Sequence, residues 1–277
     1  MLKYRGKKNI MKVKDKDITK YNVVKLKIDS IKSRVNNPFA RVEKVLSYFG
    51  NEEKDNYQTY TKTLNIYLSK DSEFDNNGLY TSNNMILLNN ENISDTLTHE
   101  LFHLSSQNGL ANKDENDYFD ESTTEYFTMI TSDNKDNFND YCYIGLIVIS
   151  SLVNILGIEH FKYYFKGDRE GFINSYGDYK DNVSKIMELV NELLVYAYDK
   201  EDEALAIMSK MKELTLGIID ELLYIASSLL DSNKYIEYIN YLVRMFSKDN
   251  TEISDFIYRD YFVNYIKDNG NKHLVRR

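Results

Sequence analysis

Apolar and polar residues follow one another in two rhythms along this chain, and the change from one to the other divides it. Between residues 20 and 50, Val, Ile and Leu mix with Lys at spacings that suit a strand followed by a helix. Pro38 is placed at the helix start, where its missing N–H costs nothing. Leu64-Asn65-Ile66-Tyr67-Leu68 then alternates with period two, as a half-buried strand does, and Asp75-Asn76-Asn77-Gly78 reads as the turn after it. Residues 78–89 (GLYTSNNMILLN) read as a second extended segment ending in a fully apolar run. From Ser94 or Asp95 the rhythm lengthens to that of a helix. Leu97, Leu101, Leu104 and Asn108 share one stripe, which directs Thr96, His99, Glu100 and His103 elsewhere. This helix is expected to stop before Asn108-Gly109, where glycine takes the left-handed conformation.

A polar loop over residues 111–117 leads to another helix, around residues 118–131. From residue 139 onward the pattern is helical, and residues 183–198, 201–230 and 234–246 keep a 3.6-residue period almost without breakers. No repeat of fixed period is present. Residues 141–158 carry no charge, a length that touches the threshold for a membrane span. Ser150, Ser151 and Asn154 interrupt them, Asp140 and Glu159 flank them, and no second span exists for them to pack against. They read as the buried central helix of a helical lobe, and no membrane span is expected. The pattern as a whole predicts an α+β chain. Residues 1–135 form a lobe with a small sheet and two helices, and residues 136–277 form an all-helical lobe.

Composition changes this picture little. A chain of 277 residues, 42% hydrophobic and 28% charged, is long enough for one large domain or two packed lobes. A net charge of -8 argues against a nucleic-acid groove, which needs clustered Lys and Arg on one face. The cluster from Lys3 to Lys16 reads as a solvated terminus. Cys142 is alone, which excludes an intramolecular disulfide and suits a reducing compartment, and it reads as a small core hydrophobe. Charges interrupt residues 1–29 throughout, so no apolar secretory segment is expected there. The expected location is cytoplasmic, with export by another route left open.

The chemistry lies in Thr98-His99-Glu100-Leu101-Phe102-His103, an HExxH motif on a predicted helix. Residues four apart lie one turn apart on the same face, so two imidazoles can converge on one zinc while the intervening Glu100 faces the reacting water as general base. With only 4 His in the chain, such a placement is not expected from composition. A catalytic zinc also needs a third protein ligand and an open fourth position, and a downstream Glu would complete such a set.

Phe119-Asp120-Glu121-Ser122-Thr123-Thr124-Glu125-Tyr126-Phe127 supplies candidates. Here the chain resembles the gluzincin metallopeptidases, the thermolysin-like and aminopeptidase-like group, in many of whose bacterial members the second helix reads approximately N-E-G-x-T-E-Y. The resemblance places Glu121 as third zinc ligand and matches Thr124, Glu125 and Tyr126, while Asp120 and Ser122 stand where Asn and Gly are usual. It covers residues 64–130, with a weaker likeness over residues 152–168. It implies a zincin-like fold and one Zn2+ per chain. It also implies hydrolysis of a peptide or protein substrate, with residues 78–89 as the sheet edge along which an extended peptide pairs.

A structural hairpin is the other reading of that segment. Glu125, one turn after Glu121, is placed to accept a hydrogen bond from a ligand histidine, or else is a solvated helix-face acid. The resemblance further implies an oxyanion-stabilising Tyr or His, for which Tyr176 and Tyr179 are the candidates. His160 and His273 have no partner at metal-ligand spacing and read as ordinary polar residues. The rivals to a peptidase are a non-proteolytic zinc protein that uses the same ligands for regulation, and an interaction module built on the helical half.

Overall fold

The computed structural model describes residues 22–34, 36–70, 78–81, 84–89, 93–107, 118–132, 143–198, 204–248 and 259–275. Its first half alternates short strands and helices: β1 (Val23–Lys25), α1 (Ile28–Lys32), α2 (Pro38–Phe49), α3 (Asn51–Lys62), β2 (Asn65–Ser69), β3 (Gly78–Thr81) and β4 (Met85–Leu88). Helices follow: α4 (Ile93–Ser106), α5 (Tyr118–Thr131), α6 (Tyr143–Leu156), α7 (Phe161–Phe165), α8 (Arg169–Asn174), a 3₁₀ turn (Gly177–Tyr179), α9 (Lys180–Tyr198), α10 (Ala204–Leu229), α11 (Ser232–Ser247) and α12 (Arg259–Val275). This is an α+β chain with a small sheet and a mostly helical remainder.

Local chemistry accounts for the boundaries. The Asn37 side chain accepts hydrogen bonds from the N–H groups of Phe39 and Ala40 at 3.0 and 3.4 Å, and Pro38 fills the first helical position of α2. The sheet has four strands in the order β1-β2-β4-β3. β1 and β3 run antiparallel to their neighbours, while β2 and β4 are parallel, with Ile66 opposite Ile86. The chain thus leaves β2, lays β3 at the far edge, and reverses to bring β4 into the gap. Residues 78–89 therefore hold two antiparallel strands, the hairpin that the sequence allows as its other reading, and not a single extended segment. Asn84, at φ 54°, sits in the left-handed region that Asn tolerates, and its side-chain amide donates to Thr63 Oγ1 at 2.8 Å. Of the expected turn at residues 75–78, only Gly78 lies within the described residues.

The expected α4 stripe is buried, with Leu97, Leu101 and Leu104 all inaccessible to solvent; Asn108 lies outside the described residues. The helix ends at Ser106, before Asn108-Gly109 as expected, and Gln107 follows it at φ 52°; Gly109 lies outside the described residues. α5 occupies the range that the pattern predicts. The uncharged stretch forms α6, ten of whose fourteen residues are buried, and no described helix is long and apolar enough to cross a membrane. Gly157, at φ 106°, follows it in a conformation that side chains rarely adopt, and its N–H bonds to Val153 O at 3.1 Å.

The contacts group the chain into two compact units. The first takes the described residues of Met1–Asn116, Thr124–Asn137 and Phe161–Phe172. Its centre is a cluster of rings, in which Phe49, Phe102, Phe161 and Phe165 all surround Phe127 at centroid distances of 5.1 to 6.0 Å. The second takes the described residues of Asp117–Thr123, Phe138–His160 and Ile173–Arg277. In it the Tyr143 hydroxyl of α6 donates to Met245 O of α11 at 2.8 Å, and Asn191 of α9 accepts from the N–H of Phe119 at 3.0 Å.

Within the first unit, Arg41 of α2 ties α4 to α5. It donates to Asp95 Oδ1 at 2.7 Å, to Ser94 Oγ at 3.2 Å and to Thr128 O at 3.5 Å. Asp95 sits in the first turn of α4, where the helix dipole also favours a negative charge. Arg41→Ala is expected to lower the free energy of unfolding by about 2 kcal/mol, the usual worth of hydrogen bonds to a charged group that is partly buried. Urea denaturation of the two proteins measures the difference.

Candidate metal centre

Three side chains with metal-ligating atoms converge on the facing sides of α4 and α5. Among the described residues, His99, His103 and Glu121 form a group in which one ligand atom from each lies within 4.8 Å of the others. The two histidines sit one turn apart on α4 and their Nε2 atoms face each other at 3.2 Å. Two ligands bound to a tetrahedral zinc at ordinary Zn–N distances stand about 3.3 Å apart, so the imidazoles are at the separation that a shared ion requires. Glu121 comes from the first turn of α5. Two nitrogens and one carboxylate make a three-ligand set, the kind that leaves a fourth position for a water or a substrate.

The opposite edges of the rings decide what the Nε2 atoms offer. His99 Nδ1 lies 3.0 Å from Glu125 Oε2. An ionised carboxylate only accepts, so the proton of His99 sits on Nδ1 and Nε2 carries a lone pair. His103 Nδ1 faces Thr124 Oγ1 at 3.4 Å, and Thr124 Oγ1 in turn lies 2.9 Å from the Tyr164 hydroxyl. These two partners, Thr124 and Glu125, come from adjacent positions of α5. The site is largely withdrawn from water: His103 is 6% exposed, and the side chains of His99 and Glu125 are 15% and 12% exposed.

Glu100 follows His99 on α4 and is 5% exposed. It lies against the outer strand β3. A Cβ added at Gly78 would stand 2.5 Å from Glu100 Oε1 and 2.7 Å from Thr96 Cγ2. The glycine therefore lets the strand pass directly over the carboxylate. Tyr80, two residues along β3, has its phenol pushed up to about 12 by burial.

The residues proposed from the sequence are placed as follows. His99, His103 and Glu121 come together, Glu125 meets His99, and Glu100 lies beside β3. Tyr176 is buried and its ring lies on that of His160, with centroids 4.2 Å apart; burial, and then the charge of Glu159, push its phenol well above the ordinary range. Tyr179 lies in the 3₁₀ turn. His160 bonds through Nδ1 to Ser175 Oγ at 2.9 Å and through Nε2 to Leu156 O at 3.1 Å, an ordinary polar role. Cys142 and the side chain of His273 lie outside the described residues. Tyr164 is the residue that the sequence reading did not single out, since nothing in its spacing connects it with the motif.

An open groove of about 630 Å³ borders the other edge of the sheet, lined in part by Lys25, Lys27 and Lys62, and it contains none of these residues. No family model, no curated protein and no solved structure matches this chain. The metal-binding reading therefore rests on the geometry of the group itself.

Protein dialysed against zinc and then against metal-free buffer is expected to keep about one ion per chain, whereas His103→Ala and Glu121→Ala lose it. Elemental analysis reads the content, and stoichiometric zinc in both variants would overturn the assignment. Gly78→Ala is expected to cost about 1–3 kcal/mol of stability through the collision with Glu100 and Thr96, measurable by urea denaturation. An unchanged midpoint would show that the strand has room to move away.

Proposed function

We propose that this chain is a zinc-dependent hydrolase that cleaves peptide bonds, with His99, His103 and Glu121 as metal ligands and Glu100 as general base. The observation that carries the reading is the gathering of ligand atoms from two imidazoles and one carboxylate within 4.8 Å of one another, with a buried carboxylate one residue from the first histidine. The same donor set also serves iron(II) sites. Zinc is favoured here by the HExxH pattern, in which a carboxylate is held next to the ligands for proton transfer.

A zinc ion in this set supplies a Lewis acid, which polarises a carbonyl and lowers the pKa of a water. The chain's own groups do the rest. Glu100 takes a proton from the attacking water at a carboxylate oxygen and returns it to the departing amine nitrogen as the C–N bond breaks. Glu125 holds the Nδ1 proton of His99, which fixes the ring and makes Nε2 a stronger donor. Burial of Glu100 and His103 strengthens each of these electrostatic interactions. β3 is an outer strand of the sheet and passes over Glu100. An extended peptide paired with its outer edge would run past the general base, with backbone hydrogen bonds supplying affinity.

The test is digestion of a mixed peptide library by the zinc-loaded protein. Wild type is expected to cleave, while Glu100→Gln keeps its zinc and loses activity by about 10²–10⁴-fold or more, the usual worth of a general base. A Glu100→Gln variant as active as wild type would remove Glu100 from the reaction. A zinc-loaded wild type inert on every peptide would turn the reading to a regulatory zinc site.

A further inference from the structure

We infer that Gly145 of α6 and Asn191 of α9 are positioning residues for Glu121: together they seat the first turn of α5, from which that carboxylate extends. The inference rests on the metal-site reading above and adds to it two residues that hold no ligand atom themselves.

The decisive observation is the closeness of α6 to α5 at Gly145. A Cβ added there would overlap Ser122 Oγ and stand 2.6 Å from Ser122 Cβ. Turning the serine to another rotamer removes the first collision and leaves the second, since rotation about χ1 moves Oγ and not Cβ. Nonbonded carbons rest at about 3.5–4.0 Å, so any side chain at 145 would drive the two backbones apart by about 1 Å. Ser122 is fully buried, and its hydroxyl is already bonded to Tyr118 O at 2.6 Å, which leaves the contact no room to relax. Glycine is a poor helix former, yet it stands here at the third residue of α6. Close approach, not helix propensity, accounts for it.

Asn191 holds the same turn from α9. The first N–H groups of a helix have no partner within it. That of Phe119 donates to Asn191 Oδ1 at 3.0 Å, so the opening of α5 is tied through its backbone as well as packed through Ser122. Glu121 lies between these two contacts along the chain. α6 has little freedom to yield: ten of its fourteen residues are buried, and the Tyr143 hydroxyl at its start bonds to Met245 O at 2.8 Å. A residue larger than glycine at 145 therefore displaces the turn that carries Glu121. Metal–ligand distances have to be met to within about 0.2 Å, a tolerance well below that displacement.

Five chains separate positioning from packing in general: wild type, Gly145→Ala, Gly145→Ala/Ser122→Gly, Asn191→Ala and Gly270→Ala. The double variant moves the Cβ from one helix to the other and removes the collision. Gly270→Ala is the control. Its Cβ would stand 2.7 Å from Ile239 Cδ1, a collision of α12 with α11 whose nearest atoms all belong to Ile239. Competition against a chelator of known affinity reads zinc binding, and urea denaturation reads stability. Gly145→Ala is expected to bind zinc about 10–100-fold more weakly, the usual effect of disturbing the groups that orient a metal ligand. The double variant should recover most of that loss, and Asn191→Ala should fall between Gly145→Ala and wild type. Gly270→Ala is expected to lower the urea midpoint and to keep the zinc affinity of wild type.

Wild-type zinc affinity in Gly145→Ala overturns the seat, as does a double variant that recovers nothing or a Gly270→Ala that loses as much as Gly145→Ala. If Gly145→Ala does not fold, Asn191→Ala decides, and wild-type affinity there overturns the seat. Absence of zinc binding in wild type overturns the metal-site reading together with the seat, whereas zinc held equally by wild type and Gly145→Ala overturns the seat alone.

Discussion

The interaction on which the site depends is the facing of two imidazole nitrogens, His99 Nε2 and His103 Nε2, 3.2 Å apart on one face of α4. A helix brings residues four apart to neighbouring positions whatever their chemistry, so the approach itself is imposed by the backbone. What the backbone cannot impose is the state of the nitrogens. Each ring has one proton and two nitrogens, and only when both protons are held on the outer edges do the inner lone pairs converge. The second helix supplies groups that face those outer edges. Glu125 and Thr124, neighbours on α5, reach one histidine each, and Glu121, one turn earlier, adds an anionic donor. The carboxylate of the group and the side chains that face the two rings thus come from two consecutive turns of α5, so a shift of α5 along its axis would disturb them together.

That dependence explains the investment of the first unit in fixing α5 against α4. Phe102 lies in the HExxH segment and Phe127 lies two residues beyond Glu125, and both belong to one cluster of rings with Phe161 and Phe165. Each ring buries a large apolar area, and edge-to-face and tilted contacts restrict how far the helices can slide or rotate. On the far side, Arg41 bonds to Asp95 at the start of α4 and to Thr128 O of α5. The apolar contacts hold the distance between the helices, and the arginine holds their register. A polar face of this kind is costly to bury, so its partners have to be fixed before it can be withdrawn from water.

Much of this was legible in the sequence because it is local. The His99–His103 spacing, the Leu97, Leu101, Leu104 stripe and the extent of α5 each follow from helix periodicity over a few turns. Glu121 and Glu125 were legible through the pattern of the second helix, and the structure brings Glu121 to the histidines and Glu125 to His99. The division of residues 78–89 into β3 and β4 was legible only as the hairpin alternative to a single extended segment. A reversal that uses Asn84 at a positive φ needs no glycine or proline, and the residues on both sides are equally suited to a strand. Tyr164 was illegible in a stronger sense. It stands 40 residues from Thr124, and in a chain with 24 Tyr only packing picks out one phenol.

The charges of the site carry the argument one step further. Three carboxylates, Glu100, Glu121 and Glu125, belong to the two facing helices that carry the histidines, and Glu100 is almost wholly buried. Without a cation, such a group combines the desolvation of its anions with their mutual repulsion. A divalent ion reverses the sign of both effects, since each anion then faces positive charge at short range in a medium of low dielectric. Affinity for the ion is in this sense prepared by the fold, which holds the anions together before anything neutralises them. Selectivity follows from the donors: two nitrogens and one oxygen favour a borderline transition metal over calcium or magnesium, which take oxygen donors throughout. The same preparation sets Glu100 apart from the other two carboxylates. Glu121 counts among the possible ligands and Glu125 faces a ring nitrogen, whereas Glu100 lies under the backbone of Gly78.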